Sequence, residues 1–143
     1  LSDALGLPWV RQRETVLRQH AWELIVYLGL EEHTHVPVSD LSFGTQKRVE
    51  IARALAAEPE LLLLDEPAGG LNHEEVEELK ELIWRIRSDF NVTVLLVEHH
   101  MSLVMAASDR VVAIDFGSVL SDGTPTEVQN DPEVIRAYLG TGD

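Results

Sequence analysis

Two short, uninterrupted apolar runs, Leu61–Leu64 and Val94–Val97, constrain this chain more than any other feature. Both fall far below the roughly 18 apolar residues that a membrane-spanning helix needs. They are also too continuous for strands with one wet face, so they read as strands buried on both faces of a parallel sheet, over Leu61–Asp65 and Val92–Val97. Between them Asn72 precedes Glu75 by three residues, a capping-box spacing, and Val76, Leu79, Ile83 and Ile86 repeat at helical intervals. Strand, helix, strand is a βαβ unit, and the fold class is α/β.

The flanking segments are helical or turn-like. A helix is expected from about Arg11 to Leu28, with Leu17, Ala21, Leu24 and Leu28 on one stripe and Gly29 as its stop. A polar connection over residues 30–40 leads to a second helix from about Gly44 to Ala57, which Pro59 prevents from continuing. After the second strand, a short helix from about Met101 precedes a hairpin in which Arg110–Ile114 and Val119–Ser121 flank Asp115-Phe116-Gly117. Thr124-Pro125 with Glu127, and Asp131-Pro132, each place a cap residue before a proline, so two capped helices are expected at the end.

Composition removes several function classes. A formal charge of −14 repels nucleic-acid phosphates, so direct binding of DNA or RNA is not expected. The same charge does not prevent a nucleotide from being held locally by backbone N–H groups, a helix N-terminus and a metal ion. With no cysteine, disulfides and thiolate metal sites are excluded. Nothing at Leu1–Val10 reads as a signal peptide, and a cytoplasmic location is the expectation.

Two clusters carry chemistry. Asp65 and Glu66 end a buried strand, where open α/β sheets place their ligands. There an Asp can hold Mg²⁺ and the adjacent Glu can act as general base, although two solvated acids at a strand end would look the same. Leu41-Ser42-Phe43-Gly44-Thr45-Gln46 opens the second helix with a hydroxyl, a glycine and free N–H groups, which make an anion cradle or an ordinary serine cap. His99 follows the second strand, so its side chain can lie beside Glu66 at the adjacent strand end and donate to a phosphate; a partly buried structural histidine is the alternative.

Taken in order, Leu41-Ser42-Phe43-Gly44, Arg53-Ala54-Leu55, Leu64-Asp65-Glu66-Pro67, Gly70-Leu71-Asn72 and Val97-Glu98-His99 resemble the ATP-binding cassette family of transporter ATPases over nearly the whole chain. The resemblance implies the C-terminal part of a cassette-type P-loop NTPase core over residues 58–143, a mostly parallel sheet with flanking helices. Part of the helical subdomain would precede it over 1–57. It further implies that Leu41, Ser42, Phe43, Gly44 and Thr45 form the signature motif, Asp65 is the Mg²⁺-associated acid and Glu66 the catalytic base. Gly70, Leu71 and Asn72 would be the loop that crosses a dimer interface, and His99 the switch histidine on the γ-phosphate. ATP and Mg²⁺ are the implied cofactors. A second ATPase subunit and transmembrane permease subunits are the implied partners, at the inner face of the cell membrane.

Thr45 stands where the signature usually has Gln, Asn72 where the interface loop usually has Asp, and His100 where an acid often follows the histidine. Ala68–Glu75 and the tail from Ser121 to Gly140 are most similar to transporters of branched-chain amino acids, and urea and lipopolysaccharide transport ATPases share parts of that tail. No Gly-x-x-x-x-Gly-Lys-Ser/Thr occurs, so a fragment lacking its phosphate-binding loop and inactive alone is the expectation. A naturally short, non-hydrolysing cassette is the alternative. A DNA-repair cassette would show long heptads or basic patches, and neither is present. Asp115-Phe116-Gly117 spells a kinase metal motif without its companions and reads as a turn. His33 with His35, and His99 with His100, lack the spacing of a zinc site.

Overall fold

The computed structural model describes residues 8–139 and divides the chain into two compact units between Leu62 and Leu63, a few residues beyond the 57/58 boundary expected from sequence. In the first unit, α1 spans Pro8–Tyr27 and α2 spans Phe43–Leu55. Gly29 follows α1 with φ +67, a conformation that glycine adopts without penalty, and so ends the helix where expected. The polar connection contains two 3-10 turns, Glu31–His33 and Val38–Asp40. Only the C-terminal part of the predicted stripe is covered: Leu24 and Leu28 are buried, whereas Leu17 and Ala21 are exposed. The α2 helix lies against that end of α1, where Arg48 Nη1 donates to the Leu28 carbonyl at 3.3 Å.

In the second unit, β1 (Leu61–Asp65, which straddles the division) and β2 (Thr93–Val97) form a parallel pair joined by α3 (His73–Phe90). The capping box at Asn72 is present: its side chain accepts from Glu75 N–H, while Glu75 accepts from Asn72 N–H. Val76, Leu79, Leu82, Ile83 and Ile86 are buried along α3, and Asn91 ends it in the left-handed conformation. The strands differ from expectation in one respect. Their burial alternates, leaving Leu63, Leu95 and Val97 more than half exposed, so among the described residues one face of the pair is covered less than the other.

After α4 (Met101–Ala107), β3 (Val111–Asp115) and β4 (Ser118–Gly123) form the expected antiparallel hairpin, with Asp115 opposite Ser118. The two-residue turn has positive φ at both Phe116 (+44) and Gly117 (+81), as the twist of a tight hairpin demands. The capped helix α5 (Pro125–Gln129) follows, then α6 (Pro132–Val134), which passes into a π-helical turn over Ile135–Leu139. Val111, Ala113, Val128 and Val134 form the core beneath the hairpin. Arg110 binds Asp122 across it through two 2.7 Å contacts, which hold the Asp122 carboxyl below its ordinary pKa. The tail similarity through Gly140 ends outside the described residues.

Candidate active site

Strand β1 ends at Asp65, with Glu66 the next residue, at the C-terminal edge of the parallel pair, and the segment after β2 brings Glu98 and His99 to the same edge. The Glu66 N–H donates to the Val97 carbonyl at 2.8 Å, which ties the first residue after β1 to the last residue of β2. Its φ of +44 is the left-handed conformation, which side-chain-bearing residues avoid at a cost of roughly 1–2 kcal/mol. The Glu66 carboxylate approaches His99, whose Nδ1 lies 3.6 Å from Glu66 Oε1. That separation is longer than a hydrogen bond. Both side chains are largely exposed, 62% for Glu66 and 65% for His99, so the pair faces solvent where a ligand can reach it.

Pro67 and Ala68 are buried immediately after Glu66. A Cβ on Gly69 would sit 3.2 Å from the Glu66 carbonyl, and Gly70 has φ +79, so glycine suits the tight turn here. Leu71 N–H closes that turn on the Ala68 carbonyl at 3.1 Å, and Asn72 then caps α3. The turn Gly70-Leu71-Asn72 therefore lies in the same unit as Asp65, Glu66 and His99 and is continuous with their corner.

The residues Leu41 to Thr45 belong to the other unit. Ser42 is the N-cap of α2: its Oγ accepts from Thr45 N–H at 3.2 Å and lies 2.8 Å from Thr45 Oγ1. Gln46 Nε2 donates to the Leu41 carbonyl at 3.0 Å and fastens the residue before the cap. Phe43 is half exposed at the first helical position, beneath Lys47 Nζ at 5.3 Å from its ring. A helix N-terminus with a hydroxyl and a glycine in its opening residues can receive an anionic group, although Lys47 is itself paired with Glu50 at 3.3 Å.

Glu98 had no role assigned from sequence. Its side chain has no exposed surface, and it accepts from the backbone N–H groups of Ala68, His99 and His100 at 2.8, 2.9 and 3.1 Å. Burial pushes its carboxyl pKa up, but these three donors outweigh burial and hold it below its ordinary value. The one available signal was an acid inside an otherwise apolar strand end.

Among the described residues, no group of three or more His, Asp or Glu side chains is arranged to hold a metal ion. A single Asp65 carboxylate fits Mg²⁺, which keeps most of its shell as water and substrate phosphate oxygens. No helix among the described residues is long and apolar enough to cross a membrane.

An α/β unit with an acid pair and a histidine at adjacent strand ends, and a helical unit whose second helix opens on a serine cap, are the parts expected of a nucleotide-binding cassette. Comparison with known proteins agrees: residues 5–69 match the ABC transporter family and residues 118–143 match the branched-chain amino acid ATP-binding cassette transporter family. The chain is 46% identical over 139 residues to the high-affinity branched-chain amino acid transport ATP-binding protein LivG of Salmonella typhimurium, covering 97% of this chain and 54% of that protein. It is 45% identical over 140 residues to BraF of Pseudomonas aeruginosa, which carries the same description, covering 98% and 55%. Among solved structures, cbiO1 of Clostridium perfringens, part of the ABC transporter complex cbiONQ, aligns with a TM-score of 0.76 and 33% identity over 94% of this chain and 52% of that one. The chain belongs to the ATP-binding cassette transporter family. It spans about half the length of the curated relatives it matches.

Proposed function

We propose that this chain is the C-terminal half of the ATP-hydrolysing subunit of an importer of branched-chain or other hydrophobic amino acids. The observation that carries the proposal is the approach of Glu66 to His99 at the strand ends, directly after Asp65. In this role Glu66 is the general base: its carboxylate takes a proton from the attacking water, whose oxygen bonds to the γ-phosphorus as the bond to the bridging oxygen breaks and ADP leaves. His99 approaches Glu66 through Nδ1, which leaves Nε2 to donate to a γ-phosphate oxygen and orient it for that attack. Asp65 would hold Mg²⁺, which neutralises developing phosphate charge.

The β- and γ-phosphates need a phosphate loop, and no Gly-x-x-x-x-Gly-Lys-Ser/Thr occurs within these 143 residues. In the proposed dimer of ATPase subunits, Leu41 to Thr45 present the α2 N-terminus to the γ-phosphate bound by the partner copy, and Gly70-Leu71-Asn72 lie at the interface. Permease subunits carry the amino acid through the membrane, with this subunit on the cytoplasmic side. The similarity to LivG and BraF supports the substrate class.

The test is uptake of leucine, isoleucine and valine by vesicles containing the full-length subunit and its permease subunits. Wild-type subunit should couple ATP hydrolysis to uptake, and Glu66→Gln and His99→Ala should each abolish both. Uptake that survives in either variant would remove that residue from the mechanism, and hydrolysis stimulated only by a polar solute would overturn the substrate class.

A further inference from the structure

Burying a carboxylate is costly unless its oxygens are satisfied, and the two oxygens of Glu98 are satisfied by two different loops. Oε1 accepts from Ala68 N–H in the loop after β1, at 2.8 Å. Oε2 accepts from His99 and His100 N–H in the loop after β2, at 2.9 and 3.1 Å. The carboxylate is thus a bridge between the segment that carries Glu66 and the segment that carries His99.

We propose that Glu98 is a positioning residue for nucleotide hydrolysis, clamping these two loops so that Glu66 and His99 face each other. The proposal rests on the assignment of Glu66 as base. Glu66 holds a left-handed φ of +44, and a residue in that conformation relaxes unless its surroundings fix it. Two anchors to the end of β2 do so: the bond from Glu66 N–H to the Val97 carbonyl, and, two residues on, the bond from Ala68 N–H to Glu98. Ala68 is buried, with 1% of its surface exposed, so losing Glu98 would leave its N–H without an acceptor or force the corner to move toward water. Either outcome releases Glu66 from its approach to His99. Glutamate suits the position because it has an acceptor for each loop. Glutamine has one acceptor and would turn an NH₂ group toward one set of N–H donors, and aspartate is one methylene too short to reach both.

The experiment uses the full-length subunit with Glu98→Ala, the volume-conserving Glu98→Gln, and Glu66→Gln as control. It measures kcat and KM for ATP, thermal unfolding, and amide exchange at Ala68, His99 and His100 in nucleotide-free protein. Glu98→Ala should lower kcat by roughly 10- to 100-fold, the scale of a misplacement near 1 Å, with KM for ATP changed less than about twofold. Exchange at the three amides should accelerate, and Glu98→Gln should lie between Glu98→Ala and wild type in both respects while unfolding near the wild-type temperature. Should Glu98→Ala not fold, Glu98→Gln alone carries the test, with kcat lowered and exchange accelerated relative to wild type. Unchanged exchange would show that no clamp exists, and accelerated exchange with wild-type kcat would show that it positions nothing; either result overturns the proposal. A parallel fall in kcat, ATP affinity and stability, with Glu98→Gln no better than Glu98→Ala, would make Glu98 a general structural residue and overturn it too. Wild-type turnover in Glu66→Gln would instead defeat the base assignment, and the proposal with it.

Discussion

Replacing Glu66 with glycine should make the full-length subunit more stable while abolishing its turnover. The backbone φ of +44 costs a residue with a Cβ roughly 1–2 kcal/mol, and glycine occupies this conformation without penalty. Against that gain, glycine loses about 0.5–1 kcal/mol through its greater freedom in the unfolded chain. The native side chain offers little to lose: its partner His99 is 3.6 Å away and both groups are more than 60% exposed, so solvent screens the pair almost completely. Glu66→Ala is the matched control, because alanine removes the carboxylate and keeps the Cβ. Glycine should therefore exceed alanine by about 0.5–1 kcal/mol in urea unfolding, or about 1–4 °C in Tm for a chain of 150–250 residues. Both variants should lack hydrolysis. A glycine variant no more stable than the alanine variant would show that the corner carries no strain.

Asn72→Ala removes the side-chain acceptor of the Glu75 N–H at the α3 N-cap and should cost about 1 kcal/mol in urea unfolding. Ile86→Ala, at a side chain with 0% exposure, should cost about 2–5 kcal/mol by the same measurement. Because the Glu98 carboxyl is held below its ordinary value of about 4.5, its contribution to stability is complete above that pH and lost as pH falls through the lower folded-state value. The stability difference between wild type and Glu98→Gln should accordingly be constant near neutrality and shrink below about pH 4.5 in pH-dependent urea titrations. The 143-residue chain by itself should self-associate through the open face bearing Leu63, Leu95 and Val97, which light scattering across a concentration series would show as a mass above the monomer.

The second unit was more legible in the sequence than the first. Asn72 with Glu75, Thr124 with Glu127, and the Phe116-Gly117 turn are local devices whose geometry follows from residue type and spacing, and each is present. The apolar runs located β1 and β2 within a residue, but they read as buried on both faces, whereas only alternate residues are covered. Run composition records what a strand tolerates, and coverage depends on which layers are present. In α1 the periodicity of Leu17 and Ala21 matched that of Leu24 and Leu28, yet burial depends on where α2 lies, a tertiary fact that helical spacing does not encode. At the site, Asp65, Glu66 and His99 stood out because acids and histidines at strand ends are chemically conspicuous. Glu98 did not, since its importance comes from three backbone N–H groups that only the folded loops bring together.

The central claim is that Glu66 activates the water that cleaves ATP, and the identity of the nucleotide held by the Glu66→Gln subunit tests it most directly. The full-length variant would be incubated with Mg²⁺ and ATP, separated from free nucleotide, denatured, and its bound nucleotide resolved by chromatography. The amide keeps the shape of the carboxylate but cannot take the proton of the water, so the variant should retain intact ATP in a stable dimer. Bound ADP forming at the wild-type rate would contradict the assignment.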